Sequence, residues 1–245
     1  MKVIIKKNYE ELSKEAAETI KEAIQKKPNL VLGLATGSTP IGTYQELARM
    51  YREKELDFSK VVIFNLDEYL GLPADHPQSY HYFMYENLLN HVNINQENFH
   101  IPDGMTKNIE KFCQEYEEKI QKAGGIDLQL LGIGSDGHIG FNEPGTPLDS
   151  RTQLVKLAES TIKDNSRFFE KEEDVPRFAI TMGAQTIFEA KRILLLASGE
   201  NKAEAVAKFI EGPITPQITA SILQKHPDVI VILDEAAALK LKRRH

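Results

Sequence analysis

The chain has 245 residues, of which 41% are hydrophobic and 27% are charged, a composition typical of a globular protein with a sizeable core. Its net charge of −6 excludes a general basic surface for nucleic acid or an anionic membrane, so the cations that receive an anionic partner must be local. The one cysteine, Cys113, excludes an intramolecular disulfide and a multi-cysteine metal site.

The first residues do not have the pattern of a targeting segment. Lysines flank the short apolar stretch at positions 3–5 on both sides, whereas a secretory leader needs an apolar run of about 7–15 residues. No apolar run in the sequence approaches the ~20 residues that span a bilayer. We therefore expect a cytoplasmic protein.

Short apolar runs alternate with amphipathic segments along the chain. The predicted strands are residues 3–5, 30–34, 61–66, 128–133, 178–181, 193–197 and 229–233. The predicted helices are residues 8–27, 41–53, 80–90, 107–123, 183–189, 200–210, 216–225 and 235–241. Several strands lack a period of two, which is typical of strands covered on both faces. The alternation predicts a single-domain, Rossmann-like α/β fold over residues 1–245, with a mostly parallel sheet flanked by helices.

Two segments interrupt this alternation. Residues 71–79 contain two prolines and predict an ordered connecting loop. Residues 144–178 are polar and bounded by prolines; their charged run is typical of a solvated face. A long polar insert beside an active site can also close over substrate, so we define residues 150–178 as the candidate lid.

The first polar segment of interest, residues 33–40, lies between a predicted strand and a predicted helix. Its small residues expose backbone N–H groups, and the start of a helix carries a partial positive charge, so the turn could hold a phosphate. Ser38 and Thr39 add hydroxyl groups, although either could simply cap the helix. The segment matches neither the Walker A pattern nor the dinucleotide-binding glycine pattern.

The next predicted strand, residues 61–66, ends at an acidic pair, Asp67 and Glu68. Carboxylates at the carboxyl end of a strand lie at the edge where open α/β sheets bind ligands. The pair could supply a catalytic base, a metal site or a cap for the next element, and the pattern alone leaves these alternatives open.

The strand predicted at residues 128–133 is followed by a glycine-rich loop that carries Asp136, His138 and Glu143. A carboxylate can orient a histidine whose second nitrogen exchanges protons with substrate. The same three residues could ligate a metal, although such sites usually use two or more histidines, and the sequence cannot place another histidine here. A tight turn with polar side chains satisfying its backbone is the remaining alternative.

Two cationic residues form a further set of candidates. Arg167 is in the candidate lid, and Lys202 begins a predicted helix. In an acidic protein either could pair with a phosphate, although most such side chains are simply solvated.

Taken together, residues 32–40, 65–69 and 131–145 resemble the glucosamine-6-phosphate deaminase family, and residues 165–169 and 211–215 extend the resemblance over nearly the whole chain. The resemblance implies conversion of glucosamine 6-phosphate and water to fructose 6-phosphate and ammonia, without a metal or an organic cofactor. It implies that Asp67 moves the C2 proton to C1. It also implies that His138 opens the sugar ring, supported by Asp136 and Glu143. The residues implied to bind the phosphate are Thr36, Gly37, Ser38, Thr39, Arg167 and Lys202.

One departure bears on regulation. Allosteric, hexameric members of the family carry Arg and Lys at an effector site where this chain has Gln153 and Val155. The chain thus resembles the short, non-allosteric branch, and we expect a monomer or low homo-oligomer that N-acetylglucosamine 6-phosphate does not activate.

Two alternatives share the fold: a 6-phosphogluconolactonase-like hydrolase and a non-catalytic sugar-phosphate sensor. Proton transfer between two carbons needs a base such as Asp67, which lactone hydrolysis does not need. A sensor could have lost the acid–base residues, whereas all four are present here.

Overall fold

Ten strands and seven α-helices alternate along residues 1–166 and 169–242, the part of the chain that the structure, a computed structural model, describes. The strands are β1 (Lys2–Lys6), β2 (Val31–Leu34), β3 (Val62–Asn65), β4 (Asp67–Tyr69), β5 (Phe99–His100), β6 (Leu128–Leu131), β7 (Gln153–Lys156), β8 (Phe178–Thr181), β9 (Ile193–Ala197) and β10 (Val229–Asp234). The helices are α1 (Tyr9–Lys26), α2 (Ile41–Arg52), α3 (Tyr80–Asn87), α4 (Ile109–Lys122), α5 (Glu159–Asn165), α6 (Ala184–Phe188) and α7 (Ala203–Glu211).

Seven of these strands form one parallel sheet in the order β1-β10-β9-β6-β2-β3-β5. In this register Leu32 of β2 lies beside Ile63 of β3 and Leu128 of β6. The central strands β2, β6 and β9 are buried along their whole length. Their sequences lack alternation because both faces of these strands are covered.

The helices cover both faces of this sheet. Successive side chains of a strand point to opposite faces, and β9 illustrates the result. Leu194 and Leu196 pack in a cluster with α1 and α2, whereas Ile193 and Leu195 pack in a second cluster with α4 and α7. The predicted single-domain α/β fold, with a mostly parallel sheet flanked by helices, is confirmed.

A second, three-stranded sheet corrects one expectation. Residues 178–181 form β8 as predicted, but β8 does not join the parallel sheet. It pairs antiparallel with β4 on one side and β7 on the other. An apolar run indicates an extended segment, whereas its pairing partner depends on contacts between residues far apart in the sequence.

Other differences lie in short or terminal elements. The sequence pattern does not predict β5, which has two residues and hence no period, or β7, which lies within a polar segment. Residues 216–225 contain a 3₁₀ helix over Thr219–Lys225. The predicted helix over 235–241 is wrong: residues 235–240 form turns, and Asp234 accepts a hydrogen bond from the N–H of Ala237.

The candidate lid packs through a small apolar cluster of its own. Leu157 and Ile162 from the lid belong to one buried cluster with Tyr69 of β4 and Phe141 of the loop after β6. The segment therefore adjoins both β4, which carries Asp67, and the loop that carries His138. Among the described residues, no helix has the length and apolarity that crossing a membrane requires.

Candidate active site

The sheet has a switch point between β2 and β6. From β2 the strands β3 and β5 extend to one side, and from β6 the strands β9, β10 and β1 extend to the other. Open α/β sheets form a ligand crevice at the carboxyl ends of the strands at such a point. A cavity of about 430 Å³ opens there. Its lining comes from segments 35–39, 66–67, 132–141 and 198–202, together with Tyr80, Thr161 and Asn165.

The turn after β2 lies on one wall of the cavity. Thr36, Gly37, Ser38 and Thr39 all line it, and Gly37 has a φ of 96°, a left-handed conformation that favours glycine. Neither Ser38 nor Thr39 caps α2, because that helix has no side-chain hydrogen bond at its N-cap. The capping alternative is therefore removed, and the hydroxyl groups of the turn face a cavity beside the start of a helix.

Tyr9, at the start of α1, supports this turn from behind. Its hydroxyl lies 3.1 Å from the carbonyl oxygen of Ser38 and 3.0 Å from that of Thr39. The same hydroxyl accepts a hydrogen bond from the N–H of Gly42 at 2.8 Å. Nothing in the sequence pattern points to Tyr9, because its contact spans 29 to 33 positions.

Lys202 and Ser198 also line the cavity, from the segment that follows β9. Asp234, at the carboxyl end of β10, holds this segment: it accepts hydrogen bonds from the Ser198 hydroxyl at 2.5 Å and from the Gly199 N–H at 3.0 Å. Asp234 follows a predicted strand, as Asp67 does, so the same signal could have identified it. Arg167 lies outside the described residues, and its role stays a prediction.

Asp67, the first residue of β4, is 5% exposed and lines the cavity. Burial, with the neighbouring charge of Glu68, raises the pKa of Asp67 to about 7. His138 and a hydrogen bond from Thr181 act in the opposite direction. A carboxyl group with this pKa exchanges protons readily near neutral pH, which is what a general base requires.

Glu68 has a different task from its neighbour. Its carboxylate accepts hydrogen bonds from the N–H groups of Tyr69, Tyr80 and His81, at 2.8, 2.9 and 2.8 Å. Burial raises the pKa of Glu68 to about 7, against the effect of these three donors. Consecutive strand residues point to opposite sides, so the acidic pair separates into a cavity residue, Asp67, and an anchor for the start of α3.

The loop after β6 brings the predicted trio together. His138 Nδ1 lies 2.7 Å from Asp136 Oδ1 and 3.7 Å from Glu143 Oε2. Gly134 is needed for this approach, because a Cβ there would lie 2.4 Å from the imidazole ring. With Nδ1 beside the two carboxylates, Nε2 is the nitrogen that remains for proton exchange with a ligand.

The charges of this trio increase the proton affinity of His138. Burial lowers the pKa of His138, but the Asp136 contact and the charge of Glu143 outweigh it and leave the pKa above its ordinary value. Lys202 acts to lower it. Burial raises the pKa of Asp136, and its contact with His138 more than reverses this effect, so that pKa is lowered.

The same trio is the group of described residues that could hold a metal ion. One ligand atom from each of Asp136, His138 and Glu143 lies within 4.8 Å of the others. His138 is the single histidine of this group, whereas zinc and non-haem iron sites usually have two or more. The donor set thus fits proton transfer better than a typical metal site.

The candidate lid contacts both halves of the site. Glu143 Oε1 accepts a hydrogen bond from the N–H of Ala158 at 3.2 Å. Asn165 donates from Nδ2 to the Tyr69 hydroxyl at 2.8 Å, and Thr161 lies between these anchors and lines the cavity. Sequence patterns indicate the segment but not Thr161 or Asn165, because neither residue type nor spacing distinguishes them from other polar residues there.

A family model described as glucosamine-6-phosphate isomerases/6-phosphogluconolactonase matches residues 6–231. The glucosamine-6-phosphate deaminase of Thermoanaerobacter pseudethanolicus is 59% identical over 97% of this chain and 94% of its own length. That of Clostridium perfringens is 57% identical over 99% of this chain and 100% of its own length.

Solved structures agree with these sequence matches. A monomeric glucosamine-6-phosphate deaminase superposes with a TM-score of 0.96 at 48% identity, over 98% of this chain and 100% of its own. A 6-phosphogluconolactonase from Trypanosoma cruzi superposes with a TM-score of 0.78 at 24% identity, over 99% and 97% of the two chains. At that identity the second likeness concerns the fold alone.

Proposed function

The chain belongs to the glucosamine-6-phosphate isomerase/6-phosphogluconolactonase family, and on this premise we propose that it is a glucosamine-6-phosphate deaminase. It converts glucosamine 6-phosphate and water to fructose 6-phosphate and ammonia. The observation that carries this proposal is the presence of two separate proton-transfer centres in one cavity: Asp67 on β4 and His138 after β6. Relatives of 57–59% identity bear the same name.

The substrate phosphate binds the turn after β2. Backbone N–H groups and hydroxyl groups of residues 36–39 receive it at the start of α2, where the helix dipole favours an anion. Lys202, which lines the same cavity, supplies a positive charge. Arg167 is proposed to close around the phosphate on the strength of the family resemblance.

His138 opens the sugar ring. It takes the proton of the anomeric hydroxyl and delivers a proton to the ring oxygen, while the C1–ring oxygen bond breaks and a C1 carbonyl forms. The resulting imidazolium is stabilised by Asp136 at 2.7 Å and by Glu143 at 3.7 Å. These carboxylates also keep the ring oriented, so that Nε2 carries the transferred proton.

Asp67 then moves a proton between two carbons. It takes the C2 proton of the open-chain aldehyde, and the electron pair forms a C1–C2 double bond as O1 gains a proton, giving an enolamine. Asp67 returns its proton to C1, which leaves an iminium at C2. Water adds to C2, ammonia leaves, and the C2 ketone of fructose 6-phosphate remains. Each general acid–base step contributes roughly 10²–10⁴-fold.

No step of this reaction requires a metal or an organic cofactor, because His138 can carry the protons of ring opening and Asp67 the proton that moves from C2 to C1. We propose that activity is retained in the presence of a chelator. The 48% identical solved structure is a monomeric deaminase, which supports a monomer or low homo-oligomer. We propose that this enzyme of sugar-phosphate metabolism acts in the cytoplasm.

One assay tests the proposal. Purified protein is incubated with glucosamine 6-phosphate without added metal, and fructose 6-phosphate and ammonia are followed. Equal release of both products is expected, and 6-phosphogluconolactone serves as the comparison substrate. Hydrolysis of the lactone without release of ammonia would favour the hydrolase alternative. Binding of the aminosugar phosphate without turnover would favour the sensor.

A further inference from the structure

A buried hydroxyl group on the candidate lid has no assigned task. Thr161, in α5, is 5% exposed and lines the site cavity. Within the described part of the chain, its Oγ1 atom has no hydrogen-bond partner. Buried polar groups in folded proteins are nearly always paired, because leaving one unpaired is costly. An unpaired, buried hydroxyl on a residue that lines a ligand cavity points to a partner on the ligand.

The surrounding contacts hold Thr161 in place. Just before α5, the N–H of Ala158 donates to Glu143 at 3.2 Å. At the end of α5, Asn165 donates to the Tyr69 hydroxyl at 2.8 Å. Residues four positions apart lie on one face of a helix, and both Thr161 and Asn165 line the cavity. Thr161 is therefore held between two anchored points beside the cavity.

Most of the other polar groups of the cavity already have roles. The phosphate is received by the turn after β2 and by Lys202, and the proton transfers use Asp67 and His138. The Tyr80 hydroxyl bonds that of Tyr69 at 3.3 Å. The hydroxyl groups of the sugar chain, between the phosphate and the reacting carbons, have no hydrogen-bonding group of the protein assigned to them.

We propose that Thr161 Oγ1 hydrogen-bonds a hydroxyl group of the sugar chain and thereby selects and positions the sugar phosphate. A threonine hydroxyl can donate and accept, which matches a sugar hydroxyl. A site built to bond a substrate hydroxyl discriminates strongly against ligands that lack it. This inference rests on the proposed deaminase function and adds a residue to its substrate-binding site.

The test compares Thr161→Val with Thr161→Ser. Valine keeps the shape and removes the hydroxyl, so kcat/KM for glucosamine 6-phosphate falls about tenfold, mainly through KM. Thr161→Ser keeps the hydroxyl, so its kcat/KM stays close to that of the wild type. The melting temperature of Thr161→Val does not fall, because the replaced hydroxyl bonds nothing in the free protein. If the hydroxyl had only a structural role, Thr161→Val would lower the melting temperature and leave kcat/KM unchanged.

Thr43→Val is the matched control. Thr43 in α2 is also buried with an unpaired Oγ1, but it does not line the cavity, so removal of its hydroxyl leaves the kinetics unchanged.

Binding of fructose 6-phosphate, measured by calorimetry, weakens in Thr161→Val by a similar factor, because this ligand keeps sugar hydroxyls and lacks the amine. Inhibition by inorganic phosphate is unchanged.

Three results would overturn the inference. Equal kcat/KM for wild type and Thr161→Val would overturn the role of Thr161 and leave the proposed deaminase function standing. An effect on glucosamine 6-phosphate without one on fructose 6-phosphate would assign the amine, not a hydroxyl, as the partner. An inactive wild-type protein would overturn the proposed function and this inference with it.

Discussion

Glu143 accepts a hydrogen bond from the N–H of Ala158 at 3.2 Å, which ties the loop after β6 to the candidate lid. The other oxygen of the same carboxylate lies 3.7 Å from His138 Nδ1. One side chain therefore contributes both to the charge around the imidazole and to the position of the candidate lid.

Replacing Glu143 with glutamine keeps an acceptor for Ala158 but removes the charge beside His138. Because that charge raises the pKa of His138, we expect the imidazole pKa to fall in Glu143→Gln, as measured by NMR titration. We expect kcat to fall by about ten- to a hundredfold, less than for loss of a proton-transfer group. The exposed Glu159, paired with Arg177, offers Glu159→Gln as the control. An unchanged imidazole pKa in Glu143→Gln would contradict the assignment.

Asp67→Asn removes the carbon base. Ammonia release falls by roughly 10²–10⁴-fold or more, and exchange of the substrate's C2 proton with deuterium in the solvent is lost. Proton NMR of the substrate in heavy water measures the exchange directly. Retention of that exchange at the wild-type rate would show that another group takes the C2 proton.

The raised pKa of Asp67 also has a stability consequence. Its folded-state pKa, about 7, lies above the unfolded value near 3.9, so the folded state holds this proton more tightly. Raising the pH through this range therefore costs stability. We expect the wild-type melting temperature to fall from pH 5 to pH 8, and the fall to be smaller in Asp67→Asn. Identical pH dependences of the melting temperature in the two proteins would contradict the burial argument.

The same pKa also affects the rate. Asp67 must be ionised to act as a base, so wild-type kcat/KM rises with pH toward about 7.

Asp234→Asn tests the support of the Lys202 segment. The buried carboxylate accepts from Ser198, Gly199 and Ala237, and one amide oxygen cannot serve all three. We expect a loss of about 1–3 kcal/mol in the free energy of unfolding and a raised KM for glucosamine 6-phosphate. Urea denaturation and steady-state kinetics measure the two effects. Asp228→Asn, at an exposed pair with Arg192, is the control; a KM no higher than that of the control would count against this support.

Closure of the candidate lid is testable by hydrogen exchange. Its described residues contact the site through hydrogen bonds from Ala158 and Asn165 and through a small apolar cluster. We expect fructose 6-phosphate to slow exchange across residues 150–178, measured by mass spectrometry, while α1 stays unchanged as the internal reference. Equal exchange with and without ligand would argue for a lid that is closed throughout.

The effector prediction concerns β7. Val155 packs in the apolar cluster of the lid, and Gln153 is half-buried on the same edge strand, so neither position offers a positive charge to a phosphate. We expect hyperbolic kinetics that N-acetylglucosamine 6-phosphate does not change. Rate curves with and without this compound check it; a sigmoidal curve that it makes hyperbolic would contradict the prediction.

Much of the site could be predicted because of one property of parallel sheets. Loops that follow parallel strands meet at the same edge, so the sequence pattern alone places the segments after β2, β3 and β6 near one another. Glycines around His138 indicate a close approach, and Gly134 is such a position. Asp234, at the end of β10, is an acidic residue directly after a predicted strand, as Asp67 is.

What the sequence by itself determined is the alternation of buried strands and helices, and the chemistry available at the strand ends. Only the tertiary structure decided that β8 pairs antiparallel with β4 and β7, and that Asp67 faces the cavity while Glu68 anchors α3. It also decided that Tyr9 and Thr161 reach the site. Periodicity reports which side of an element is buried, whereas pairing and the surroundings of a side chain depend on contacts between distant parts of the chain.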